Sequence, residues 1–267
     1  MNPVEQLYDS DPQREWARET RHRTEFAVTR RALADYLPPP PAAIADLGGG
    51  PGRYAIPLTQ QGYAVTLVDL SRENLALAQV KAAEAGVELA AVIHANVLAL
   101  PGLPEEKYDA VLLLGPLYHL LEQAERETAV VSCHDLLQPG GLIFAAFVTR
   151  YAAFRDMVTG GYLDWIIQYP ERAKHLLETG CNPAGPGSGF PNSYFAHPDE
   201  VKPLMETAGF ITLNLIGCEG LVAGHEEHVN QLDGELWDQW VDLNYRFGQE
   251  PPLYGASDHL LYVGQKK

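Results

Sequence analysis

The segment Ile44–Tyr54, IADLGGGPGRY, sets Asp46, Gly48, Gly50 and Gly52 in a D-x-G-x-G-x-G spacing. Glycines so spaced let a backbone turn sharply and let a ligand approach without Cβ collisions. Asp69 follows 21 residues after Gly48, at the end of the run AVTLVD. A carboxylate there can accept hydrogen bonds from both hydroxyls of a ribose. The competing ligand is a dinucleotide, whose G-x-G-x-x-G motif uses its third glycine to pack a helix and its amides to meet a pyrophosphate. From Gly48 that third position is Arg53. The alternate-glycine spacing instead suits a nucleoside that carries no phosphate.

Such a site needs a sheet around it, because open α/β sheets bind ligands beyond the carboxyl ends of their strands. Strand-like runs fall at Ala42–Leu47, Ala64–Asp69, Glu88–Ala95, Tyr108–Gly115, Leu142–Val148, Phe210–Gly217 and Asp258–Gly264. Helical stretches lie between them: Gly52–Gly62, a helix capped by Ser71 to about Ala85, Glu122–Leu137, and Pro198–Ala208. Pro57 is out of place inside the first of these. Pro139-Gly140-Gly141 reads as a turn. The first segment reads as one helix to about Leu37, with Asp11-Pro12 as a cap and the prolines 38–41 as its stop. Strands alternating with helices predict an α/β fold with a doubly wound, mostly parallel sheet. Thr149–His197 reads as irregular or short helices. Cys218–Ser257 reads as an insertion with a helical face at Val229, Leu232, Leu236, Trp240 and Leu243.

At these residues the sequence resembles the class I S-adenosylmethionine (SAM)-dependent methyltransferases of the type 11/25-like, small-molecule group. DLGGGPG, VTLVDLS and LLQPGGLIF carry the likeness across roughly Ala42–Val148, and the last helix and two strands extend it. It looks like the bacterial group that includes the ubiquinone and menaquinone C-methyltransferases. The resemblance implies a Rossmann-like sheet of seven strands with the last antiparallel. It implies one domain: a helical lid (1–41), a cofactor core (42–148) and two cap insertions (149–197 and 218–257). It also implies roles. Asp46 would steady the glycine turn or the methionine ammonium. Gly48, Gly50 and Gly52 would border methionine and ribose. Asp69 would hold ribose, with Leu70 beside adenine. Asn96, standing where Asp is usual, would accept from the adenine amino group, and Val97 would offer its N–H. Leu114 and Gly115 would line the methionine end. Tyr118 and His119 would be the acid/base candidates, since histidine titrates near neutrality and can take a proton from an oxygen or nitrogen nucleophile.

The implied reaction is methyl transfer from SAM to a small-molecule acceptor, leaving S-adenosylhomocysteine (SAH). The alternatives are a SAM- or SAH-binding protein without turnover and a nicotinamide-dependent oxidoreductase. The 267 residues carry 19 Lys plus Arg against 35 Asp plus Glu, a formal charge of −16. Such a chain repels phosphate backbones, so no nucleic-acid partner is expected. No apolar run is long enough for a membrane span. The start lacks signal-peptide character, so a cytoplasmic protein is expected. Three cysteines without C-x-x-C spacing and His225-Glu-Glu-His228 without a third ligand give no metal site. Six arginines crowd residues 14–31. They read as a solvated face with pairs such as Glu15–Arg18, or as a lid in which Tyr8 or Trp16 covers the cofactor and an Arg meets a carboxylate. The seven acids from Glu219 to Asp242 read as a solvated face plus loops, or as a surface that receives a cationic substrate group.

Overall fold

The computed structural model describes residues 3–103, 107–190 and 192–267. The helices are α1 (Pro3–Asp9), α2 (Pro12–Trp16), α3 (Arg18–Arg21), α4 (Arg23–Tyr36), α5 (Ala55–Gln60), α6 (Arg72–Glu84), α7 (Gln123–Leu136), α8 (Arg150–Thr159), α9 (Trp165–Gln168), α10 (Pro170–Thr179), α11 (Pro198–Thr207) and α12 (Gly234–Gly248). The strands are β1 (Ala43–Leu47), β2 (Ala64–Asp69), β3 (Ala91–His94), β4 (Tyr108–Leu113), β5 (Leu137–Val148), β6 (Cys181–Asn182), β7 (Ser193–Tyr194), β8 (Phe210–Gly217) and β9 (His259–Lys266).

Seven strands form one sheet in the order β3-β2-β1-β4-β5-β9-β8. The pairs from β3 to β5 are parallel, and β9 runs antiparallel to both β5 and β8. The last strand is thus the antiparallel one, and it sits inside the sheet rather than at its edge. From β1 the chain winds outward to β2 and β3, then returns to place β4 on the other side. The order reverses between β1 and β4, where the carboxyl ends of neighbouring strands splay and leave a crevice.

The strands are apolar in both alternating directions because both faces are covered. Ile44, Leu67, Leu112 and Phe144 pack with Val28, Ala32 and Leu33 of α4 on one face. Leu47, Val111, Leu113 and Ile143 pack with Val130 and Cys133 of α7 on the other. Asp46 shares the strand parity of Ile44, so its carboxylate points to the side of the N-terminal helices.

The single N-terminal helix expected from the sequence is four short ones. Asp11 does cap α2, accepting from the Arg14 N–H at 3.0 Å. Pro57 is explained by phase: α5 begins at Ala55, so Pro57 sits in the first turn, where the N–H has no intrahelical acceptor. Leu137 pairs with Tyr108 and Leu142 with Ala110, so residues 138–141 bulge out of a strand that starts earlier than expected.

Candidate functional site

The glycine loop leaves β1 in a conformation that side chains disfavour: Gly48, Gly50 and Gly52 have φ of 70°, 57° and 84°. Asp69, at the end of β2, ties that loop down. Its Oδ2 accepts from the Gly50 N–H at 2.8 Å and its Oδ1 from the Ser71 N–H at 2.8 Å. The Asn74 side chain also hydrogen-bonds this carboxylate, which with about four acceptor positions still has room for a ligand hydroxyl. Burial raises the Asp69 pKa, against the pull of those two N–H groups.

Asp46 is fully buried, and neither carboxylate oxygen has a hydrogen-bond partner. Burial, and then the Asp69 charge, push its pKa up to about 7, while Arg53 and the nearby Ala55 N–H pull the other way. An unpartnered buried carboxylate costs several kcal/mol as an ion, on the order of one lost charged hydrogen bond or more. The site is therefore short of a cation or a donor.

A cavity opens above this loop, with about 1020 Å³ of atom-free space including its mouth. Asp46, Gly48, Gly50 and Asp69 line it, as do Leu70, Asn96 and Val97 from the loops after β2 and β3. Leu114, Gly115, Tyr118 and His119, after β4, line the other wall. Gly52 does not. It faces the start of α5 and α6, where a Cβ would stand 3.3 Å from Ile56 Cδ1 and 3.5 Å from Ala78 Cβ. Asn96 Oδ1 already accepts from the Leu98 N–H at 2.9 Å, closing its own turn. His94 Nε2 meets the Leu70 carbonyl at 2.8 Å and so fixes the backbone of Leu70.

The N-terminal helices cover the mouth. Val4, Tyr8, Glu15 and Arg18 line the cavity, and Trp16 does not; its ring lies 5.3 Å from Lys81 Nζ instead. Asp9 at the end of α1 latches onto the start of α6, accepting from Ser71 Oγ at 2.6 Å. The Tyr8 hydroxyl lies 2.6 Å from His119 Nε2, and His119 Nδ1 lies 3.3 Å from the Asn192 carbonyl. A carbonyl only accepts, so the ring proton belongs on Nδ1 and Nε2 accepts from Tyr8. Burial lowers the His119 pKa to about 4, which keeps the ring neutral near pH 7. Phe190 lies edge-on to His119 with centroids 5.2 Å apart.

Arg18 is not part of a solvated face and does not pair with Glu15. Its side chain is 15 % exposed and donates to Tyr118 Oη at 3.2 Å, His259 Nε2 at 3.0 Å and Glu25 at 3.4 Å. Arg23 is also engaged, donating to the Asn230 and Leu232 carbonyls at 3.0 and 2.6 Å. Glu219, among the acids expected to be solvated, is fully buried. His225 and His228 lie in an irregular loop rather than on one helix face, and among the described residues no cluster of metal-ligating side chains occurs. No helix of the described residues is long and apolar enough to cross a membrane.

Residues 44–141 match the family described as a methyltransferase domain. The chain thus contains a methyltransferase domain, on a sheet with the class I SAM-dependent methyltransferase fold. It is 25% identical over 219 residues to a ubiquinone biosynthesis O-methyltransferase of Chelativorans sp. (strain BNC1), covering 80% of this chain and 73% of the relative. It is 32% identical over 142 residues to the protein of that name from Maricaulis maris (strain MCS10), covering 53% of this chain and 54% of the relative. The alignment with the second relative thus spans about half of each protein. Among solved structures, a SAM-dependent methyltransferase of Thermotoga maritima, described as a possible histamine N-methyltransferase, aligns with a TM-score of 0.58 at 18% identity, over 98% of this chain and 99% of that one. A SAM-dependent methyltransferase from Methanosarcina mazei aligns with a TM-score of 0.57 at 16% identity, over 88% and 96%. These two likenesses concern the fold. As a methyltransferase, the chain has SAM as its methyl donor, and the oxidoreductase alternative falls away.

Sequence reasoning missed Arg18, Glu15, Val4 and Tyr54 as cavity residues. Only the crowding of arginines hinted at the first. Arg53, which breaks the dinucleotide motif, stands in the cavity wall.

Proposed function

We propose that this methyltransferase transfers the methyl group of SAM to a phenolic oxygen of a small aromatic acceptor. The observation that carries the cofactor half is Asp46, a buried carboxylate neither of whose oxygens has a well-formed hydrogen bond, at the carboxyl end of β1. SAM brings two cationic groups, an ammonium and a sulfonium, to a carboxylate that Arg53 influences only at a distance. When bound, SAM supplies a methyl group on a positively charged sulfur, an electrophile that needs no further activation.

The chain's own residues then bind and orient. Asp46 faces the ammonium. Asp69 holds the ribose hydroxyls with its remaining lone pairs. Leu70, the Val97 N–H and the free lone pair of Asn96 flank adenine. Gly48, Gly50, Leu114 and Gly115 border methionine and ribose, while Gly52 packs the loop onto α5 and α6. Arg18 and Arg53 meet the methionine carboxylate. Orientation of this kind contributes on the order of 7–11 kcal/mol in well-aligned reactions.

The acceptor half rests on the names of the Chelativorans and Maricaulis relatives and on the rings of Tyr8, Tyr118, His119 and Phe190 around the mouth. Neutral His119 accepts the phenolic proton at Nε2 once Tyr8 withdraws from it. The test is methyl incorporation from labelled SAM into matched phenols, catechols and amines. Incorporation into a phenol, lowered about 100-fold in His119→Ala with SAH affinity unchanged, supports the reading. Incorporation only into amines, or none by protein that binds SAH, contradicts it.

A further inference from the structure

We propose that Glu219 and His259, which lie outside the cavity, are positioning residues that hold Arg18 as the anchor for the cofactor's carboxylate. The inference rests on the reading that this cavity takes SAM and SAH.

Arg18 sits on α3, a helix of one turn in a segment of four short helices. So short a helix does little to restrain a long side chain that carries about 2 kcal/mol of rotamer entropy. Hydrogen bonds at both terminal nitrogens direct it within its buried surroundings. The Glu25 contact at 3.4 Å is long for a charged pair. The shorter tie is the one to His259 Nε2 at 3.0 Å. A guanidinium only donates, so in this contact the ring is neutral, with its proton on Nδ1 and Nε2 accepting; burial and Arg18 favour that form, while Glu219 and Glu25 oppose it by drawing the His259 pKa up. His259 Nδ1 lies 2.5 Å from Glu219 Oε1. Glu219 Oε2 in turn accepts from the Asp258 and His259 N–H groups at 3.1 and 2.8 Å. Glu219 is fully buried and His259 is 7 % exposed.

The result is one directed chain: Glu219 orients His259, His259 orients Arg18, and Arg18 donates to Tyr118 Oη at 3.2 Å. It joins the start of the second insertion, the last strand, the lid and the loop after β4. Only its last two members reach the cavity. A Cβ built on Gly115 would lie 3.6 Å from Tyr118 Oη and 3.3 Å from the Gly48 carbonyl, so the chain ends beside the methionine half of the site. Because Arg18 occupies a lone pair of Tyr118 Oη, the Tyr118 proton is left to point at an acceptor. A guanidinium and a hydroxyl that both donate form a receptor for a carboxylate.

The test compares two ligands by calorimetry. SAH carries the amino-acid carboxylate; methylthioadenosine keeps the nucleoside and the sulfur and lacks it. Wild-type protein should favour SAH. Arg18→Met, His259→Leu and Glu219→Gln should each weaken SAH about tenfold and leave methylthioadenosine within about twofold. His259→Gln, whose amide can donate to Glu219 and accept from Arg18, should recover part of the loss. Thermal melting separates misfolding from this effect, and Glu219→Gln serves if His259→Leu does not fold. Equal weakening of both ligands, or an unchanged SAH affinity in the His259 and Glu219 variants, would overturn the proposal. A wild-type protein that binds neither ligand would instead overturn the reading of the cavity itself.

Discussion

The hydroxyl of Tyr8 and Nε2 of His119 stand 2.6 Å apart, joining residues separated by 111 positions in the chain. Through this contact the first helix closes over the nitrogen assigned to receive the acceptor's proton. On the proposed reading, an acceptor would reach His119 only when Tyr8 leaves. Tyr8→Phe removes the hydrogen bond, worth on the order of 1 kcal/mol, and should speed tryptic cleavage at Arg14 and Arg21 about fivefold. Saturating SAH should slow the same cleavages in the wild type. Mass spectrometry of the early fragments reads both, and equal cleavage rates in all samples would count against a lid.

Asp46 gives a pH dependence with a definite sign. Its folded pKa of about 7 lies above its ordinary value near 4, so the folded state holds the extra proton between them. The cost of the ionised form is fully present above pH 7 and vanishes below the ordinary value. Asp46→Asn should therefore stabilise the ligand-free protein at pH 8, by about 1–3 kcal/mol, and by nothing at pH 4. A cationic ligand favours the charged form, so SAM binding at pH 6.5 should release up to one proton from the wild type and none from the variant. Calorimetry in two buffers of different ionisation enthalpy measures that release. Proton uptake, or a variant less stable at pH 8, contradicts the assignment.

Gly49 tests how tightly the loop is built. A Cβ there would stand 2.4 Å from Asp46 Oδ2 and 2.5 Å from Leu67 Cδ1, both in the core. Gly49→Ala should cost about 1–3 kcal/mol by overpacking and abolish SAH binding. Gly161, at φ 73° with nothing within 4 Å of its Cβ, is the control. Gly161→Ala should cost about 1–2 kcal/mol through backbone strain and leave SAH binding intact. Denaturant melts with SAH titrations check both. Matching behaviour of the two variants would show that the loop is not a close-fitting cradle.

Much of the core was legible because its signals are local. Ser71 caps α6 as its type and place suggest, accepting from the Asn74 N–H. Phe210–Gly217 is a strand with the bounds the sequence marks. The glycine loop and Asp69 come together because a strand, a turn and a helix leave little choice within about 25 residues. The misses are long-range. Arg18 finds His259 across 241 positions and Tyr118 across 100, and no spacing rule anticipates either. Glu219 reads as one acid among several until the last strand delivers two N–H groups to it. Gly52 fits the motif, yet one further residue along a tight turn sets it against Ile56 and Ala78 rather than in the cavity wall. Pro57 conflicts with a helix that starts at Gly52 and fits one that starts at Ala55.

The central claim is that the cavity above the glycine loop binds the SAM nucleoside through Asp69. Its most direct test is calorimetric titration of SAH into wild-type protein and Asp69→Ala, with NADH as the control ligand. The account predicts one SAH bound per chain, a loss of about 100-fold in the variant, and no preference for NADH. Well-folded wild-type protein that ignores SAH, or an Asp69→Ala variant that binds it equally well, would contradict it.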